Sequence, residues 1–131
     1  MRRSRPRIAR RALIAAAMAA AALAASPVSA AGTPLAHKVG QVTWHPRDFA
    51  GQTVTIIGYV LAREAGYILF SDEASGRISV HDLPVAGMGV EDMQVAGKYR
   101  IEGVFLRGGL AARNGNPYHL ELTVPPAKEP R

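Results

Sequence analysis

After residue 50 the chain alternates between apolar and polar positions in five separate stretches, and alternation with a period of two is the signature of half-buried β-strands. Residues 52–62 (QTVTIIGYVLA) come first. Val54, Ile56, Gly58 and Val60 share one face, and Thr53, Thr55, Ile57, Tyr59 and Leu61 share the other. Gly58 in mid-strand predicts a bend where a sheet turns a corner. Residues 63–66 (REAG) read as a turn and 67–71 (YILFS) as a second strand. A hairpin loop at 72–76 (DEASG) leads to a third strand at 77–81 (RISVH), which Pro84 brings to an end. The fourth strand is 98–107 (KYRIEGVFLR), with Tyr99, Ile101, Gly103 and Phe105 on one side. The fifth is 118–124 (YHLELTV), stopped by Pro125-Pro126.

The connections are punctuated by proline and glycine. Pro46 and Gly51 suit the two ends of a single helical turn over 46–51 (PRDFAG). Residues 85–95 form a longer connection in which only 90–95 suits a helical turn, and 108–117 (GGLAARNGNP) is a flexible loop. Five short strands with the long connection between the third and fourth predict an all-β fold, a small five-stranded OB-type Greek-key barrel. Closure removes unpaired edges and buries the apolar faces together. A core of this size is worth only about 3–5 kcal/mol. With no cysteine in the chain, packing alone must supply it.

The chain before residue 46 is of another kind. Six arginines lie within residues 2–11 and no acid accompanies them. Fourteen uncharged residues follow at 12–25, then SPVSAA. A basic start, a short apolar core and small residues at Val28 and Ala30 form an export signal cut between Ala30 and Ala31. The apolar core is shorter than the roughly 20 residues of a spanning helix, although retention as an anchor stays an alternative. Arg10-Arg11-Ala12-Leu13-Ile14 is similar to a twin-arginine signal. The chain is thus expected to divide into a signal at 1–30, a leader or linker at 31–45, the barrel at 46–126 and a disordered polar tail at 127–131. Exported means periplasmic or extracellular here.

That division changes the charge. Of 16 basic and 10 acidic residues, the signal removes six arginines and no acid, so the mature chain carries ten of each. A neutral domain has no overall pull on nucleic acid.

Several segments together resemble the bacterial exported OB-fold proteins and the OB domains called tRNA-anticodon-like. They are 51–60 (GQTVTIIGYV), 67–72 (YILFSD), 76–80 (GRISV) and 97–103 (GKYRIEG), over roughly residues 47–124. The resemblance implies OB architecture; its motifs are those of the fold and not of an activity. The chain also resembles, in outline, the periplasmic haem chaperone of cytochrome c maturation. That family carries haem on a His followed by a Tyr, whereas Tyr118-His119 stand here in the reverse order.

OB barrels bind across their second and third strands, between the loops after strands one and four. That places the candidate ligand site at Arg63, Tyr67, Leu69, Arg77, Ser79, His81, Arg107 and Arg113. The plainer reading of the three loop arginines 63, 107 and 113 is solvated surface charge. Among the four histidines, His81 (beside Asp82) and His119 (with Glu121 two residues on) are the metal candidates, against the simpler expectation of surface histidines. Ser71, Asp72, Ser79 and His81 form no nucleophile motif, and Asp72-Glu73 and Glu91-Asp92 lie in polar loops. The expectation is therefore a non-enzymatic, cofactor-free binding module. Its ligand is a small molecule, a peptide or an envelope component, with single-stranded nucleic acid or metal and haem handling as alternatives. When the full chain is made in a bacterial host, the exported form is expected to begin at Ala31 by intact mass; a product still carrying Met1 in the cytosol would refute the export reading.

Overall fold

A computed structural model describes residues 35–130. The export signal and its cleavage site lie outside the described residues. In chain order the elements are β1 (His37–Lys38), α1 (Val39–Thr43), α2 (Pro46–Phe49), β2 (Thr53–Arg63), β3 (Ile68–Ser71), β4 (Leu83–Gly87), a 3-10 turn (Val90–Asp92), β5 (Lys98–Arg107), β6 (Tyr118–Leu122) and β7 (Ala127–Lys128).

The sheet order β2-β3-β4-β6-β5, closed by β2 pairing back on β5, makes a five-stranded barrel. All the pairings within that ring are antiparallel except β4 with β6, which run parallel. This is the OB-type barrel that the alternation predicts. The inward positions are those the pattern selects: Val54, Ile56, Val60, Ile101, Phe105 and Leu120 are all part of one buried core. Phe105 stacks on Tyr118 with ring centroids 5.1 Å apart.

β2 is long enough to serve three neighbours. Thr53 to Tyr59 pair with β5, and Tyr59 to Arg63 pair with β3 across a register shift between Val60 and Ala62. The change of partner falls beside Gly58, where the sequence places a corner. A Cβ there would lie 2.7 Å from the Ser71 carbonyl oxygen and 2.9 Å from both Phe70 and Val39 side chains. Glycine is required by close approach, not by its backbone angles.

Three stretches depart from the sequence reading. Residues 77–81 are loop, and the third barrel strand is β4, Leu83–Gly87. Pro84 sits inside that strand opposite Leu69, and pairing with β6 starts only at Val85, so its missing N–H leaves no gap there. The stretch read as a leader is folded from His37 onward. β1 lies parallel to β2, and α1 buries Val39 and Val42 at 2% and 0% exposure. Five residues do not make a stable helix alone. α1 is held because Asp72, just past the end of β3, accepts the N–H groups of Val39 (2.7 Å) and Gly40 (2.9 Å) on its two oxygens. Finally, the tail contributes β7, whose Lys128 pairs with Tyr99 on β5.

Gly103 marks the tightest crossing of β5 and β6. A Cβ on it would overlap the Glu121 carbonyl and stand 3.0 Å from the Leu122 Cα. Both are backbone and cannot turn aside. Gly103→Ala is expected to destabilise the barrel by about 3 kcal/mol, read as a lower urea midpoint, since overpacking of a fixed interior costs roughly that much. An unchanged midpoint would mean that the two strands do not approach as described.

Candidate functional site

The structure brings only part of the predicted ligand face into solvent. Tyr67 and Leu69 alternate with the inward Ile68 and Phe70, so they point out of the barrel, yet they are 8% and 0% exposed. The protein's own loop over residues 108–117 lies on Tyr67. The N–H of Arg113 donates to the Tyr67 hydroxyl at 2.8 Å. The Arg113 guanidinium pairs with Glu64 at 3.3 Å, tying this loop to the β2–β3 turn. Asn114 Nδ2 donates to the carbonyls of Ser79 (2.8 Å) and Asp82 (2.9 Å), and Asn116 Nδ2 to that of Asp82 (3.1 Å). Three loops are thereby bonded to one another over the face where an OB barrel usually takes its ligand.

The other predicted residues divide between structure and surface. Arg63 donates to the carbonyls of Met93 (2.7 Å) and Glu91 (2.9 Å), so it fastens the 3-10 turn. Arg107 is exposed and lies 5.8 Å from the Tyr118 ring centroid. Arg77 and Ser79 are exposed on the loop between β3 and β4. His81, on the same loop, stacks on Trp44 with ring centroids 3.6 Å apart and planes 15° from parallel.

Trp44 itself is 63% exposed. The alternation could not single it out, because it lies beyond the end of α1 in a stretch with no period. The only sequence signal is an indole in an otherwise polar segment. Ile78 and Val80, on the loop of His81, are 37% and 48% exposed. Arg77, Ile78 and Val80 are therefore exposed on the same loop whose His81 carries the Trp44 stack.

The histidines stand apart. His37 meets Phe49 edge-on at 5.1 Å, His45 is exposed, and His81 is stacked on Trp44. His119, expected at the surface, is 5% exposed. Its Nε2 is 3.3 Å from Glu121 Oε1, and its Nδ1 has no partner among the described residues. The 108–117 loop lies against it: a Cβ on Gly109 would sit 3.6 Å from the His119 ring. No group of three or more His, Asp or Glu side chains able to hold a metal occurs among the described residues. Ser71 Oγ accepts from the Glu73 N–H at 3.3 Å and Ser79 Oγ from the His81 N–H at 3.1 Å, so both hydroxyls serve loop turns.

Asp82 is the anchor of the loop surface. Its carboxylate accepts the Ser79 N–H at 2.7 Å, and its carbonyl takes both asparagines. Burial pushes its carboxyl up from the ordinary 3.8, outweighing the bonds from Ser79 and Ser71 and the charge of His81 that pull the other way.

No family model and no curated protein matches this chain. Solved structures do. One is an OBody, AM3L09, bound to hen egg-white lysozyme: 13% identity, TM-score 0.53, covering 74% of this chain and 96% of that one. A second is a putative aspartyl-tRNA synthetase from Leishmania major Friedlin, at 10% identity and TM-score 0.50, covering 75% of this chain but only 21% of the synthetase. A DUF3299 family protein from Pseudomonas aeruginosa PAO1 aligns at 13% identity and TM-score 0.46, over 64% of this chain and 65% of that one. At these identities the first two likenesses establish the barrel fold and nothing further.

An acid whose folded value is raised favours folding when protonated. Its contribution is full below 3.8 and is lost as pH rises through the raised value. Urea midpoints followed upward from 3.8 are expected to carry this falling component in the unaltered protein. Asp82→Asn, which keeps an oxygen for the Ser79 N–H, removes it; identical pH slopes in the two proteins would refute the assignment.

Proposed function

We propose that this chain is an exported, non-catalytic OB-fold binding module of the cell envelope that holds a polypeptide partner on its Trp44–His81 surface. The observation that carries the reading is an indole left 63% exposed while stacked on a histidine. Leaving a Trp in water forgoes much of the burial an aromatic of this size offers. Trp and Arg are also the side chains that dominate protein interfaces.

The mounting of the pair favours the same reading. Loops bind well when they are ordered beforehand, because the ordering entropy is then not charged to the complex. Here Asn114, Asn116, Asp82 and Arg113 fix the loops around the stack. Ile78, Val80 and Arg77 add apolar area and a planar cation on the same loop. A neutral mature chain suits a polypeptide better than a phosphate backbone. That an OB barrel can hold a protein is illustrated by the OBody–lysozyme complex.

A photo-crosslinking residue at position 80, beside His81 with Trp44 left in place, is expected to yield a protease-sensitive adduct in cells making the exported protein. The same residue at position 102, on the β5 wall away from the stack, yields none. Trp44→Ala weakens recovery of the partner by about 2 kcal/mol or more, the loss typical of a central interface Trp. Adducts at both positions, none at 80, or an adduct removed by nuclease and not by protease would each sink the proposal.

A further inference from the structure

Apart from the Trp44 stack, another surface has the chemistry of a small-ligand site. Between β1, β2 and the start of β5 runs a groove of about 420 Å³, lined by His37, Lys38, Ile57, Tyr59, Asp72 and Lys98, with Ala36 and Gly58 completing it. That volume falls within the ~300–1,000 Å³ of small-molecule pockets.

The sheet register explains why cations gather there. Lys38 is paired with Ile57, and Ile57 with Arg100. Tyr59 is paired with Lys98. Paired residues share a face, as do residues two apart on one strand. Lys38, Lys98 and Arg100 therefore surround the half-buried side chains of Ile57 and Tyr59 on one outer wall. Lys98 Nζ stands 5.7 Å from the Tyr59 ring centroid.

Three cations on one wall would ordinarily be answered by acids. Among the described residues neither Lys38 nor Lys98 has an ion pair. Arg100 reaches Glu129 through Nη2 at 3.7 Å, while its Nη1 is buried with no hydrogen-bond partner. Asp72 is the one acid lining the groove, and both its oxygens are taken by the backbone of α1. Arg100 stands beside the groove and not in its lining, so Lys38 and Lys98 are the cations that face it without a free carboxylate in reply.

From this juxtaposition we infer that the β1–β2–β5 groove binds a small organic anion with a flat apolar body. The anionic group lies between Lys38 and Lys98, and the body lies on Ile57 and Tyr59. A carboxylate and a phosphate ester meet these requirements equally.

The test is a titration of the full chain, followed by amide NMR at constant ionic strength. The probes are benzoate, phenyl phosphate, neutral benzamide and inorganic phosphate. Benzoate or phenyl phosphate, whichever head group the site takes, is expected to saturate with shifts confined to residues 37–38, 57–59 and 98. Benzamide and inorganic phosphate bind at least about tenfold more weakly. Lys98→Gln and, separately, Lys38→Gln each weaken binding about tenfold. Arg47→Gln, the same loss of charge on exposed α2, leaves it unchanged. Lys38 is exposed on β1, so its variant keeps the test decisive should Lys98→Gln disturb the barrel. Shifts that never saturate, equal binding of benzamide, or an equal loss in Arg47→Gln would overturn the inference. None of these outcomes bears on Trp44, so the two surfaces stand or fall separately.

Discussion

The pairing of β2 with β5 is the closure on which the molecule depends. It joins Thr53 through Tyr59 to Val104 through Lys98 and turns a five-stranded ribbon into a ring. Without it two strand edges would stand open, in a chain that has no disulfide to compensate. The same closure makes the outer walls possible. It sets Ile57 and Tyr59 beside Arg100 and Lys98, and it frees the other half of β2 to turn toward β3. Gly58 and Gly103 are the local conditions of that geometry, one where the strand changes partner and one where two backbones nearly touch.

A further level of order sits on top of the ring. The loops that in an OB barrel flank a ligand are here spent on each other. Asn114 and Asn116 reach the carbonyl of Asp82, and Tyr67 receives the backbone of Arg113. The face beneath is closed, with Leu69 and His119 inside it. What remains available for recognition has moved outward, to the upper side of those loops and to the groove beside β1. Between the two lies α1, gripped by Asp72 on one side and carrying Trp44 at its end.

Much of the barrel is legible in the sequence because alternation is a direct physical record of a half-buried strand. β2, β5 and β6 begin within a residue of where the pattern puts them, with their apolar faces inward. The third strand lies elsewhere for a specific reason. RISVH alternates well, while LPVAG contains a proline that reads as a breaker; in the structure the proline's place in the strand makes its missing N–H harmless. The short elements β1 and α1 leave no periodic trace, since two and five residues are too few to show one, and it is the distant Asp72 that holds α1. The site is less legible still. Arg63, Tyr67 and Leu69 have the right residue types for such a face, but nothing local announces that a loop some forty residues away bonds to Tyr67, that Leu69 is fully buried, or that Arg63 is engaged by the 3-10 turn. The burial of His119 escapes a local reading by the same mechanism.

The parallel pairing of β4 with β6 has a consequence for how the chain reaches this state. It brings Val85 against Leu120, and all of β5 with its two flanking loops must be in place between them. Contacts so distant along the chain are slow to form, because loop entropy is lost before the pairing returns anything. The β2–β5 closure spans still longer separations, so the ring is completed late at both of these seams. Until then the unpaired edges at these two seams are sticky borders that a neighbouring nascent chain can zip onto, so this protein's period of greatest vulnerability precedes its native state.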